Sequence, residues 1–341
     1  MLRPKFVLLL ALFGLLTWAA FAPAATPAPV KLVSDVWPPF TDEDKKPHEA
    51  LDLVQGALQR AGVRSTSTII TFSAALAGLQ QGKFDGSAAL WKTPEREEYL
   101  LFSKPYLENR LLLVARKGES VAFSRVGELR GKRLALTRGY GYGDAVTKAA
   151  GVQIVYRDSD TECLRAVLAK EADYLLLDEL MVRHLFAFYA DKANDLIVPG
   201  LTPIVRYPLH FALRKDFPDA AKLMADFDRN IQRMQADGTY NVVLHVPWIA
   251  TDTNGDGVPE FVTTKKKLLP PSGGDPAKNF ASYPVFYPEP TAPNMNRAPT
   301  YLVDGKSYNT WGDAATTLNR AGPTAGRGLY KYSTGFVLGE F

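Results

Sequence analysis

Leu111-Leu112-Leu113-Val114-Ala115, running straight into Arg116-Lys117-Gly118, is the stretch that decides the fold. Five apolar residues without a polar interruption read as a strand buried on both faces, and the charged pair and glycine end it. On either side, from Val30 to about Pro247, strand-like and helix-like segments alternate, which is an α/β pattern. Upstream, Val30 to Val33 is a short strand ending in the proline-stiffened loop Ser34-Asp35-Val36-Trp37-Pro38-Pro39-Phe40. A helix follows, with Ala50, Leu51, Leu53, Val54, Ala57, Leu58 and Ala61 at three- and four-residue spacing and Gly62 at its end. Ile69 to Phe72 reads as a strand, and Ser73 as the cap of a short helix that Gly82 ends. Downstream, Lys132 to Thr137 is a strand leading into Gly139-Tyr140-Gly141-Tyr142-Gly143. Asp160 reads as a helix cap, and Tyr174 to Leu177 as a strand ending at Asp178. The chain returns through Arg206 to Leu213, and a helix from Pro218 carries Leu223, Met224, Phe227, Ile231 and Met234 on one face. Two extended crossings between two α/β lobes form a hinge, which suits a clamp that closes on a small ligand.

The ends of the chain carry different signals. Arg3 and Lys5 precede an apolar run from Phe6 to about Ala22, followed by Ala22-Pro23-Ala24-Ala25. Basic, apolar and small-residue parts in this order are the layout of a secretory signal peptide over residues 1–24. The run is slightly shorter than the ~20 residues of a membrane span, and a retained anchor is the alternative. No later segment is apolar enough to cross a bilayer, so the mature chain is expected to be soluble and outside the cytoplasm. Net charge is +4, and loss of Arg3 and Lys5 with the leader lowers it to a scattered +2, too little to argue for nucleic acid, and no nucleic-acid partner is expected. Cys163 is the only cysteine, so no intramolecular disulfide is available. It lies among apolar residues of an expected helix and reads as an inert thiol rather than a nucleophile. From Pro259 to Phe341 the chain holds ten of its 24 prolines and little helical periodicity. Aromatics recur there from Phe280 to Phe336, whereas disordered segments are poor in them. An irregular extension over residues 265–341, packed on the clamp or on a partner, is expected.

Several residues suit a binding cleft. Thr93-Pro94-Glu95-Arg96 is a helix start with a capping hydroxyl and proline at the first helical position. A guanidinium in such a first turn either holds a carboxylate bidentately or pairs on the surface with Glu97 or Glu98. Asp178 ends an apolar strand, the edge where open α/β sheets bind ligands. It serves either as an acceptor for an ammonium group or as a helix cap. The Gly139 loop fails the dinucleotide spacing, because glycine is needed where Asp144 stands, and is either an anion-friendly helix start or a plain tight turn. Trp37, Phe40, Phe72, Trp91 and Tyr140 lie in loops or at strand ends, where aromatics line pockets or simply pack.

Asp252-Thr253-Asn254-Gly255-Asp256-Gly257-Val258-Pro259-Glu260 resembles a calcium loop. Asp252, Asn254 and Asp256 supply oxygens at positions 1, 3 and 5, the Val258 carbonyl stands at 7 and Glu260 at 9. Thr263 replaces the bidentate glutamate of an EF-hand. A structural calcium ion in a linker over residues 249–264 is one reading, and a metal-free Asx turn the other. No organic cofactor is expected. Four histidines, without H-E-x-x-H or G-x-S-x-G, supply no familiar catalytic signature. His184, on an apolar helix, reads as a core residue.

Taken together, Trp37-Pro38-Pro39-Phe40, Leu79-Gln80-Gln81-Gly82-Lys83-Phe84-Asp85, Thr93-Pro94-Glu95-Arg96, Phe102-Ser103-Lys104-Pro105-Tyr106, Leu129-Arg130-Gly131-Lys132 and Ala236-Asp237-Gly238-Thr239-Tyr240 resemble the bacterial extracytoplasmic solute-binding proteins of family 3, the polar amino-acid type. The resemblance covers about Val30 to Pro247. It implies a two-lobed periplasmic binding protein of type II, with lobe 1 over 28–115 and 206–248 and lobe 2 over 116–205. It implies that Arg96 clamps a ligand α-carboxylate, that Asp178 receives the α-amino group, and that Trp37 and Phe72 sandwich the ligand side chain. The family usually places small hydroxyl residues where Ala89 and Trp91 stand here, and Gly-Thr-Thr or Gly-Thr-Ser where this chain has Gly139-Tyr140-Gly141. The charge anchors remain while hydroxyl donors give way to bulk, which suits a larger or more aromatic ligand, or a site that has lost free amino acids. The expected protein is a monomer that captures an amino acid or related carboxylate and presents it to a membrane ABC permease or sensor. Two alternatives are a dehydratase on the same fold acting on prephenate or arogenate, and an interaction protein docking a partner through its extension.

Overall fold

The computed structural model describes residues 28–42, 48–265, 275–278, 282–285 and 297–319. The expected leader lies outside them. Chain order gives β1 (Val30–Ser34), α1 (Glu49–Arg60), β2 (Ser65–Ile69), α2 (Phe72–Gln80), β3 (Gly86–Leu90), α3 (Pro94–Glu97) and β4 (Leu100–Phe102) in lobe 1, then the long crossing strand β5 (Leu107–Arg116). Lobe 2 holds β6 (Arg133–Thr137), α4 (Asp144–Thr147), β7 (Gln153–Arg157), α5 (Asp160–Leu168), β8 (Tyr174–Asp178), α6 (Glu179–Phe188), α7 (Ala190–Leu196) and β9 (Ile197–Pro199). The return is β10 (Val205–Arg214), followed by α8 (Ala220–Ala236) and α9 (Thr239–Val243) on lobe 1.

The two crossing strands make the architecture continuous. Residues 107–111 of β5 pair antiparallel with 205–209 of β10. Beyond that stretch β5 turns to β8 and β9, while β10 turns to β3 and β4. One twisted sheet therefore runs β2-β1-β3-β10-β5-β8-β6-β7 through both lobes. β8 is buried at all five positions, as a strand lying between β5 and β6 requires. α8 buries Leu223, Met224, Phe227, Ile231 and Met234 at helical spacing. It starts at Ala220 rather than Pro218, because Asp219 takes a left-handed φ of 55° just before it.

Two local boundaries differ from the sequence reading. Phe72 opens α2 instead of closing a strand, so its ring leaves the first helical position. Ser159 caps α5, its hydroxyl accepting from Glu162 N–H, and Asp160 is the first helical residue.

The region expected to be irregular also differs. Its described residues join a second sheet, β13-β11-β12-β14-β15, with β11 (Trp248–Thr251), β12 (Glu260–Thr263), β13 (Ser282–Pro284), β14 (Tyr301–Val303) and β15 (Lys306–Tyr308). The helix α10 (Trp311–Asn319) packs on it around Trp248, Tyr301, Val303, Ala314 and Leu318. Strands of three residues are too short to show a two-residue period, which is why proline content dominated the reading. Tyr283 of β13 is buried, donates from its hydroxyl to the Glu108 carbonyl of β5, and lies 5.9 Å from the Arg183 guanidinium of α6. The main core accordingly includes Leu107 and Leu209 of the crossing strands together with Ile249, Val262 and Tyr283. No helix among the described residues is long and apolar enough to cross a membrane.

Candidate functional site: the interlobe cleft

The cleft is built from the ends of parallel strands, where helix starts and loops meet. Ser34 ends β1 and leads to Asp35 and Trp37; β3 ends at Leu90 and leads to Trp91 and α3. From the other lobe, β6 leads to Gly139, Tyr140 and Gly141. Trp37, Phe72, Ala89, Trp91, Arg96 and Tyr140, all read as ligand-contacting, line one cavity. Asp35, Leu90 and Gly141 join them. Phe40 does not: it is fully buried behind Trp37, with ring centroids 4.5 Å apart. Gly139 contributes only its carbonyl.

Arg96 is the centre of charge. Thr93 caps its helix, accepting from Arg96 N–H at 3.4 Å, with Pro94 in the first turn. Arg96 is only 5% exposed. It donates to the Trp91 carbonyl at 2.5 Å and, across the cleft, to the Gly139 carbonyl at 2.9 Å. The Phe72 ring centroid lies 5.4 Å from the same group. The surface-pair alternative fails, because Glu97 pairs with Lys92 and no carboxylate among the described residues pairs with Arg96. Burial draws its pKa down, against the opposing pull of nearby Tyr99, Glu95, Tyr140 and Asp35.

Asp178 sits elsewhere. It is 1% exposed and caps α6, accepting from Leu180 N–H at 2.7 Å. Its other oxygen accepts from Asn109 Nδ2 at 3.0 Å and Arg110 N–H at 2.9 Å. It is not part of the cavity lining. Burial outweighs these three donors and raises its carboxyl to about 7. The helix-cap alternative is thus what the geometry displays. Trp91 explains part of the separation: its indole N–H donates at 2.7 Å to Asn109 Oδ1, whose amide in turn serves Asp178.

Bulk fills the space between the lobes. Trp91 lies against Tyr207 of β10, ring centroids 4.5 Å apart, and edge-on to Tyr140 and Tyr142. Tyr140 also meets Trp37 and Phe72 edge-on. Such tilted and edge-to-face pairs are the favoured aromatic arrangements. They leave a cavity of ≈ 10 Å³, about the ~10–15 Å³ that one water requires. A ligand therefore enters only when the lobes part.

The sequence reading missed Asp35 as an acid of the cavity lining and took Asp160, a second buried acid that lies off that lining, only for a helix cap. Asp35 accepts from the Tyr140 hydroxyl at 2.9 Å across the cleft. Asp160 accepts from Thr137 Oγ1 at 2.5 Å. Burial raises each carboxyl to about 6. Asp35 was detectable as an acid just past a strand end, two residues from Trp37. Cys163 is buried on α5 with its thiol raised to about 12 by burial, which suits packing.

In the Asp252 loop, Asp252 accepts from the N–H groups of Gly255, Asp256 and Gly257. Asn254 Oδ1 accepts from Asp256 N–H, and Val258 N–H donates to Asp256. Glu260, 5% exposed, accepts from Thr253 and Asn254, and Arg297 pairs with Asp256 at 2.6 Å. Asp252, Asp256 and Glu260 each bring one carboxylate oxygen within 4.8 Å of the others.

This two-lobed α/β clamp with a buried cation at its cleft defines a solute-binding protein. Residues 32–249 match the bacterial extracellular solute-binding proteins, family 3, and the chain belongs to that family. Among curated relatives it is similar to the L-cystine-binding protein TcyJ of Escherichia coli, 24% identical over 221 residues, 63% of this chain and 80% of that protein. Among solved structures, an ancestral arginine-binding protein bound to arginine superposes with a TM-score of 0.55 at 21% identity, over 64% of this chain and 98% of its own. An ancestral amino acid-binding protein, a precursor of cyclohexadienyl dehydratase, superposes with a TM-score of 0.52 at 23% identity, over 63% and 93% of the two chains. These structural likenesses concern the fold.

Proposed function

We propose that this chain captures a small amino-acid-like carboxylate by lobe closure in the periplasm and presents it to a membrane ABC permease or sensor. The observation that carries the reading is Arg96, 5% exposed at the cleft, hydrogen-bonded only to carbonyls and with no acid in salt-bridge distance among the described residues. A buried charge without an ionic partner is costly, and a ligand carboxylate supplies one through charge-assisted hydrogen bonds. The cystine- and arginine-binding names among its relatives support an amino acid as the ligand class.

The test is calorimetric titration of the mature chain with amino acids, their derivatives and aromatic carboxylates. Arg96→Ala should lose ~3 kcal/mol or more of binding, over a hundredfold in Kd. Equal affinities for variant and wild type would remove the carboxylate role. We propose capture without turnover. Product formation from prephenate in the same samples would instead support the dehydratase alternative. Calcium at the Asp252 loop is also our proposal, supported by the donor order and by three carboxylates converging within 4.8 Å.

A further inference from the structure

We propose that Tyr140 is an internal occupant of the cleft: carried on a loop of lobe 2, it fills the place a solute takes, so that solute and tyrosine compete and the closed arrangement is the self-occupied one. This rests on the solute-capture reading and adds to the same cleft a device that regulates entry.

Three needs of the lobe 1 face are met by this one loop. The Tyr140 ring stands edge-on to Phe72, Trp91 and Trp37, with centroids 4.9, 5.5 and 5.6 Å away. Its hydroxyl donates to Asp35 at 2.9 Å. One residue earlier, the Gly139 carbonyl accepts from the Arg96 guanidinium at 2.9 Å. An apolar body with a few placed polar atoms is what a small bound molecule presents to its pocket. Here the opposite lobe presents it.

Space separates an occupant from an ordinary contact. Side chains that only line a pocket leave room for a guest, and ligand pockets measure ~300–1,000 Å³. The cavity bounded by Tyr140, Trp37, Phe72, Trp91 and Arg96 is ≈ 10 Å³, room for one water. A solute and the Tyr140 ring do not fit there together, so one must leave.

The surroundings single out the part that moves. Trp91 is buried and fixed, with its indole N–H on Asn109 and its ring against Tyr207. Trp37 is backed by the fully buried Phe40. Tyr140, in contrast, is half-buried, belongs to no helix or strand, and stands between Gly139 and Gly141. Gly139 has a φ of 79°, and such a residue lets the backbone swing at low steric cost. Two residues on, Tyr142 is the fixed end of the loop: it is buried, and its hydroxyl accepts from Thr137 N–H. Swinging about these points withdraws the ring, the hydroxyl and the Gly139 carbonyl together, and frees Arg96 for the solute. A solute that must wait for this loop binds with an apparent affinity reduced by the fraction of molecules in which the loop is out. Removing the ring therefore tightens binding, the reverse of truncating a ligand contact.

The experiment follows Tyr140→Ala and Tyr140→Phe by small-angle scattering without added solute, and by calorimetric titration with L-arginine, L-glutamate, L-phenylalanine and phenylacetate. Tyr140→Ala should show a larger radius of gyration than wild type and bind at least one probe about tenfold tighter or more. Tyr140→Phe keeps the ring and loses the hydroxyl, so it should fall between the two and carries the test should the alanine variant lose its circular-dichroism spectrum. Arg96→Ala added to Tyr140→Ala should erase the gain, which locates it in the cleft. Affinity equal to or weaker than wild type in both variants, or a radius unchanged in Tyr140→Ala, overturns internal occupancy; Arg96-dependent binding in those same samples leaves solute capture standing. Binding of no probe by wild type or either variant counts against both.

Discussion

A methyl group added at Gly141 would sit 2.7 Å from Thr93 Cγ2 and 3.6 Å from the Arg96 guanidinium, on the opposite lobe. Thr93 has little freedom to turn aside, since its hydroxyl caps the helix that carries Arg96. Gly141→Ala should therefore cost the closed form ~1–3 kcal/mol while leaving each lobe intact. Small-angle scattering of the ligand-free variant should show a larger radius of gyration, and an unchanged one would contradict a cleft closed at this contact. At this scale the sequence was partly legible. Arg96 stood out because Thr93-Pro94 announces a helix start, a local signal. Asp160 read as a cap, but Ser159 holds that place, and Asp160 is buried against Thr137, twenty-three residues away in sequence. Asp178 offered two local meanings, and the choice between them was made by Asn109, sixty-nine residues away in sequence.

The element scale shows the same division. β5 was legible from five apolar residues in a row, and β8 from its apolar run, since strands buried on both faces need no alternation. The three-residue strands β13, β14 and β15 were not, because they persist only through their partners, β11 for β13, β12 for β14 and β14 for β15. The turn between β11 and β12 is the Asp252 loop, and it bears its own prediction. Asp252 accepts three backbone N–H groups, so Asp252→Ala should loosen the turn and expose it to protease. With calcium bound, as proposed, the wild-type turn should be protected further, and a chelator should bring its cleavage rate toward that of Asp252→Ala. Cleavage of wild type that ignores both calcium and chelator would remove the ion from the account and leave the hydrogen bonds.

For the whole molecule, three buried carboxyls couple stability to pH. Asp35 and Asp160 are raised from 3.8 to about 6, and Asp178 to about 7, in each case by burial first. The folded chain thus binds these protons more tightly than the unfolded one. Their contribution is complete below pH 3.8 and disappears as pH rises through 6 and then 7. His184, lowered to about 4 by burial, and the lowered acids Asp173 and Asp237 act in the opposite sense. The comparison that isolates these two acids is wild type against the Asp35→Asn, Asp160→Asn double variant without ligand. The variant's advantage should grow between about pH 4 and 6 and level off above, on the order of a few kcal/mol, and a constant difference would show that the two acids do not titrate there. The tie made by Tyr283 has a reach of its own. One ring touches the crossing strand through Glu108 and the far lobe through Arg183. A displacement of the C-terminal sheet would consequently be felt at the crossing strand and at α6 together, at a distance from the cavity itself.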